Sequence, residues 1–214
     1  MQQKLSLKVL PSEASDPLVI KQLIASSLSK ITQQVTGYSI LKKSLDARAK
    51  TIWVNLTVNA FIDEHFYSSE RPNFHFRNVH LAKNKVIIIG AGPAGLTAAL
   101  SLLEHGIKPI LLERGKDVRA RRRDLALLNK EGIINEESNY CFGEGGAGTY
   151  SDGKLYTRSN KRGSIDRILQ LFVHFGAEEN ILYEAHPHIG TNKLPQIITS
   201  MRKLIIESGG EFYF

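Results

Sequence analysis

A chain of 214 residues, 42% of them hydrophobic and 23% charged, can bury one large or two small cores and has the make-up of an ordinary globular protein. Its single cysteine excludes an intrachain disulfide and a thiolate metal cluster and predicts a reducing, cytoplasmic setting. With no run of about 18 apolar residues and no signal-peptide core in Met1–Lys8, neither a membrane helix nor secretion is expected.

Residues 1–82 predict a small α+β domain with its linker. Leu5–Leu10 alternates as a strand, and Asp16 and Pro17, as N-cap and first helical residue, start a helix running to about Ile31. Tyr38–Leu41 and Thr51–Val58 read as two further strands. This strand-helix-strand-strand order predicts a ferredoxin-like module, with residues 63–82, polar and rich in His and Arg, as linker. The module carries no catalytic constellation. Asp46 and Arg48 dock on the second domain, face a ligand, or form a surface turn with an ion pair. His65, His75 and His80 lack ligand spacing, so no metal site is expected.

Residues 83–214 predict a Rossmann-like α/β domain. Val86–Ile89, four apolar residues in a row, suits a strand buried on both faces, and Leu96–Leu103 repeats apolar residues at helical spacing. Gly90-Ala91-Gly92-Pro93-Ala94-Gly95 therefore sits in a strand-to-helix turn. Gly90 permits the tight turn, Gly92 lets the backbone approach a pyrophosphate, and Gly95 lets the helix pack on the strand. The helix N-terminus offers N–H groups and a positive dipole end to phosphates. Lys108–Glu113 supplies the second strand and closes on Glu113, 18 residues beyond Gly95. A carboxylate there accepts hydrogen bonds from both ribose hydroxyls and repels a 2′-phosphate, which disfavours NADP in this site. An adenine dinucleotide is implied, FAD or NAD.

Asn139–Leu155 carries five glycines, which let the backbone lie against a flat or phosphorylated ligand. Pro93-Ala94-Gly95 and Glu113-Arg114-Gly115 look like the FAD-binding half of two-dinucleotide flavoproteins. Together with Ser44–Arg48, Ser138-Asn139, Gly143–Leu155 and Pro187–Leu194, they make the chain resemble a family of uncharacterised FAD-dependent, or NAD(FAD)-utilising, dehydrogenases related to the glutathione-reductase and fumarate-reductase flavoproteins. The resemblance implies that Gly143–Lys154 lies along the FAD pyrophosphate and flavin. Gly145, Gly146, Gly148, Ser151 and Asp152 would then join Gly90, Gly92, Pro93, Ala94, Gly95, Glu113 and Arg114 as cofactor contacts. It implies an oxidoreductase that moves a hydride or electron pair from an unidentified substrate, with NAD(P)H as a donor to be considered. Asn192 stands where the family pattern has Asp, and Cys141 where it has a polar residue.

The net charge of +7 is unevenly spread, with ten Lys/Arg against six Asp/Glu in residues 1–82 and eighteen against fifteen in residues 83–214. Within Arg114–Arg123 six basic residues face one acid, Asp117. Either one of Arg119, Arg121, Arg122 or Arg123 grips the cofactor phosphates, the resemblance pointing to Arg121, or the run is the solvated face of a helix that turns Val118, Leu125 and Leu128 inward. No aromatics interleave with it, so nucleic acid is not expected there. His186 and His188 flank Pro187 as a proton-transfer pair, a partial metal pair or a plain loop, and the resemblance singles out His188. Lys154 and Asp152 stabilise a reduced flavin, orient substrate, or form a local turn. Lys154 and His188 are thus the catalytic candidates, and Cys141 is expected as a buried small hydrophobe. Leu194–Ser208 reads as a helix and Glu211–Phe214 as a strand whose edge is left open, so a truncated N-terminal portion of a longer flavoprotein is expected. The alternatives are a flavin-containing RNA- or protein-binding module in which FAD is structural, or an inactive fragment.

Overall fold

A computed structural model describes residues 1–67, 72–155 and 163–214 of the chain, which divides into two compact units. The first is built from residues up to 71 together with Asn180–Pro187, the second from Pro72–Glu179 and His188–Phe214.

In the first unit, β1 (Gln2–Val9) leads through the short α1 (Pro11–Ala14) and α2 (Pro17–Ser27) into a hairpin of β2 (Val35–Asp46) and β3 (Trp53–Ile62). The sheet order is β1-β3-β2, with β3 central and antiparallel to both neighbours. Asp16 caps α2 by accepting the N–H groups of Leu18 and Val19 at 2.8 and 3.4 Å, with Pro17 at the first position where no N–H is needed. The helix ends at Ser27 rather than near Ile31. Ser29 turns left-handed at φ 53°, so the Lys30 N–H reaches the Ala25 carbonyl at 2.8 Å and the Ser29 N–H that of Ser26 at 3.2 Å, closing a Schellman end. Alternation along β1 and β3 turns Leu7, Val9, Leu56 and Val58 onto Ile20 and Ile24 of α2, and these form the core. The outer edge of β2 takes one more extended piece: Lys43 N–H donates to Tyr183 O at 2.7 Å and Ala185 N–H to Lys43 O at 2.9 Å.

The second unit is a mixed α/β body on a parallel sheet. Its elements are β4 (Lys85–Ile89), α3 (Pro93–Glu104), β5 (Lys108–Leu112), α4 (Val118–Glu131), α5 (Ile165–His174), α6 (Leu194–Glu207) and β6 (Glu211–Tyr213). The order is β4-β5-β6, all parallel. Leu96, Leu100 and Leu103 of α3 and Met201 and Ile205 of α6 are buried, and the two helices pack together. The expectation that β4 is buried on both faces is corrected: Val86, Ile87 and Ile89 are 40%, 63% and 79% exposed, and among the described residues β4 is an edge strand that pairs with β5.

Residues 72–82, expected as linker, are packed into this unit. Phe74 and Val79 are buried, and the N–H groups of Arg77 and Val79 donate to Leu103 O and Ser208 O. Residues 68–71 of that stretch lie outside the described residues. Among the described residues no helix is long and apolar enough to cross a membrane, and no group of three His, Cys, Asp or Glu stands ready to hold a metal ion.

Candidate functional site

Three segments of the second unit converge at the C-terminal end of β4. Gly90 leaves the strand at φ 92°, a left-handed turn closed by its N–H on Leu112 O at 2.7 Å. At Gly95 a Cβ would stand 1.9 Å from Gly90 O, so α3 approaches the turn as closely as it does because that residue has no side chain.

Gly92, the N-cap of α3, differs from both. Its φ of −72° suits any residue, and a Cβ there would meet nothing within 4 Å. The protein's own packing therefore gives no reason for glycine at this point. The open backbone there stands at the positive end of a twelve-residue helix, where a bound anion could approach it. Gly148, in a single helical turn at residues 147–149, shares the open surround.

Glu113 ties the first segment to the second. One carboxylate oxygen accepts the Ala91 N–H at 2.7 Å and the other the Gly115 N–H at 2.8 Å. Each oxygen keeps a lone pair, so the group has capacity for further hydrogen bonds while bracing the turn. Gly145 N–H donates to Ala91 O at 2.8 Å, and Gly146, at φ 71°, lies so close that a Cβ would stand 3.0 Å from the Pro93 ring. The fingerprint, Glu113 and the Gly143–Gly148 loop are thus one continuous backbone surface. Pro93 and Ala94 open α3 at its rim and are exposed.

Arg121 is where reasoning from sequence needs correction. It is fully buried, and its guanidinium donates to the carbonyls of Asn139 (2.9 Å), Tyr140 (3.1 Å) and Glu144 (2.7 Å), with Gly143 O at 3.4 Å. With four of five N–H groups committed to backbone, it clamps the glycine loop instead of reaching for phosphate. Arg119, Arg122 and Arg123 are exposed on α4, whose inward face carries Val118 and Leu125 as expected, while Leu128, expected there too, is half-buried. Arg114 is engaged by Glu137 and by the Phe142 ring, 4.7 Å from its guanidinium carbon.

Glu144 was missed. It is fully buried, accepts the Val118 N–H at the start of α4 at 2.9 Å, and has Arg202 Nε 3.1 Å from its other oxygen, which makes no hydrogen bond. Burial pushes its carboxyl above the ordinary carboxylate range. The readable signal was a lone acid inside a glycine run, a poor place for a solvated charge.

The catalytic candidates come together. Lys154 and His188 face each other in an antiparallel bridge, supported by Ile189 N–H on Gly153 O at 2.9 Å, so both side chains leave on one side. Both are exposed. Lys154 Nζ pairs with Asp152 at 2.7 Å, and this hydrogen bond raises the amine and lowers the carboxyl, which is the local turn among the readings of that pair. Ser151 is exposed beside it. His186 falls in the first unit. Cys141, expected to be buried, is exposed, on a turn in which its backbone N–H donates to Asn139 Oδ1 at 2.8 Å.

Comparison with known proteins agrees with this geometry. Residues 83–128 match the family model described as FAD binding domain, and residues 1–61 match a Domain of unknown function (DUF8436). An uncharacterized protein of Clostridium beijerinckii is 35% identical over 210 residues, 92% of this chain and 39% of that protein. The chain thus spans about two fifths of that relative's length. A thiamine thiazole synthase of Archaeoglobus fulgidus is 56% identical over 36 residues, 17% of this chain and 14% of its own. A dual trans-enoyl reductase/FAD-dependent monooxygenase of Aspergillus terreus is 59% identical over 34 residues, 16% of this chain and 5% of its own. Residues 83–128 carry an FAD-binding domain, and FAD is the cofactor of this chain.

Proposed function

We propose that this chain is the FAD-holding part of a flavin-dependent oxidoreductase, with a Rossmann-like second unit and a ferredoxin-like first one. The Rossmann-like reading is supported by the parallel β4-α3-β5 crossover with the glycine turn at its C-terminal end. The ferredoxin-like reading is supported by the β1-β3-β2 order with α2 between β1 and β2.

The observation that carries the proposal is Gly92: a glycine with ordinary φ, open surround and a helix N-terminus behind it. There the backbone binds the pyrophosphate, Glu113 accepts from the ribose, and Gly145, Gly146 and Gly148 let the loop lie along the cofactor. Arg121 and Glu144 act through the loop, one holding its carbonyls and the other fixing it to α4. When bound, the flavin supplies two-electron chemistry on an organic substrate. Lys154 and His188 would stand as proton carriers or substrate anchors, and NAD(P)H is the donor to try first.

The test is the visible absorption spectrum of the purified chain before and after addition of FAD, with Gly92→Val beside the parent. A flavin band in the parent and none in the variant is expected. Equal flavin in both would remove Gly92 from the site.

A further inference from the structure

The sheet of the first unit has two faces, and α2 covers one. Positions that share a cross-strand row point to the same side of a sheet, so the register identifies the other face. Lys4 pairs across to Asn59, Ser6 to Thr57 and on to Lys42, and Lys8 to Asn55 and on to Ser44. Lys4, Lys8 and Lys42 are exposed, and amide and hydroxyl side chains fill the rows between them. The one acid among these strand positions is Asp46, whose carboxylate is bound by Arg48 at 2.8 and 2.9 Å. At one end the face closes on Phe61, edge-on to Phe66 and Tyr67. At the other lies Trp53, with Lys8 Nζ 5.0 Å from the ring centre.

We propose that this sheet face binds single-stranded nucleic acid, Lys4, Lys8 and Lys42 taking phosphates and Trp53 taking a base. Lys4 and Lys8 lie about 13 Å apart along β1, and Lys42 about 10 Å across two strand spacings, so the three ammonium groups form a patch rather than a point. Positive charge alone would suit any polyanion. What favours a nucleic acid is the interleaving of charge with neutral donors, acceptors and an aromatic ring, which meets the needs of phosphate and base together. The Arg114–Arg123 run has charge without that interleaving. The surface belongs to the first unit and the FAD-binding residues 83–128 to the second, and the proposal does not depend on the proposed oxidoreductase activity.

Trp53 is the chain's only tryptophan, so its emission reports this face alone. The experiment titrates the full 214-residue chain with a fluorescein-labelled 12-mer of uridine, reading anisotropy and Trp53 emission over a range of salt. Anisotropy should rise while Trp53 is quenched, with a slope of log affinity against log salt of about −2 for three phosphate contacts. Lys8→Gln and Lys42→Gln should each flatten that slope by about 0.7 and leave FAD uptake unchanged. Three results overturn the proposal. One is no binding at low salt. Another is binding that leaves Trp53 emission unchanged and is weakened by Arg122→Gln instead, which assigns it to α4. The third is equal competition by polyglutamate, which makes the face a site for acidic protein.

Discussion

Gly92 and Gly95 sit three residues apart in one turn, yet alanine at each should fail differently. At Gly95 the new Cβ would lie 1.9 Å from Gly90 O, 3.1 Å from Gly90 C and 3.3 Å from Ile88 Cγ2. Ordinary contact begins near 3.4 Å, so α3 and the β4 turn must part by about 1.5 Å, and the nearest obstacle is backbone that no rotamer change relieves. Overpacking of this kind costs about 3 kcal/mol, a drop of roughly 10 °C in melting temperature for a body of this size. At Gly92 nothing stands in the way and φ is −72°, so alanine leaves the FAD-free melting temperature within about 2 °C of the parent. In the proposed site it occupies the surface that the pyrophosphate would need, and FAD affinity should fall at least about tenfold, close to 1.4 kcal/mol. Thermal melts without FAD, followed by fluorescence titration with FAD, separate the two. A Gly92→Ala chain that binds FAD like the parent, or a Gly95→Ala chain that melts with it, would refute the division of roles.

Arg121→Met should destabilise the second unit by about 3 kcal/mol, since it strands buried carbonyls of Asn139, Tyr140 and Glu144; earlier melting with faster proteolytic cutting near residues 139–144 is the readout. Asp117→Ala removes the N-cap of α4, which accepts the Arg119 N–H at 2.8 Å, and should cost about 1 kcal/mol by denaturant titration. Glu144 gives a pH prediction. A carboxyl raised by burial contributes stability that is present below its unfolded pKa and lost as pH climbs through the folded one. Glu144→Gln, which keeps an acceptor for Val118 N–H and cannot ionise, should therefore gain on the parent as pH rises from the acidic range to neutrality. A melting difference that stays constant with pH would place the shift elsewhere.

The elements of this chain were readable where local chemistry decides them. Asp16-Pro17 announced α2, and the alternation of Leu7 and Val9 against Val54, Leu56 and Val58 set the inward face of the first sheet. The turn at Gly90–Gly95 was legible because strand, glycines, helix and Glu113 each constrain the others. Long-range bonding was not legible. Nothing in the spacing of Arg119, Arg121, Arg122 and Arg123 says which one is swallowed by the loop of residues 139–144, because that depends on a chain path twenty residues away. The exposed isoleucines of β4 escaped for a related reason. An apolar run records what a strand can cover, and which neighbours stand beside it is a matter of topology.

The extended piece at Tyr183–Ala185 has a consequence for how the chain is made. Its partner, Lys43, leaves the ribosome about 140 residues earlier, so at roughly 5–20 residues per second the outer edge of β2 waits some 7–28 s for its last hydrogen bonds. The three-stranded sheet can close long before, from contacts near in sequence, and its final edge is sealed only once residues 183–185 have been made. During that interval the nascent chain carries an unpaired strand edge, and a chaperone that shields such edges should raise the yield of folded protein more than one that acts after release.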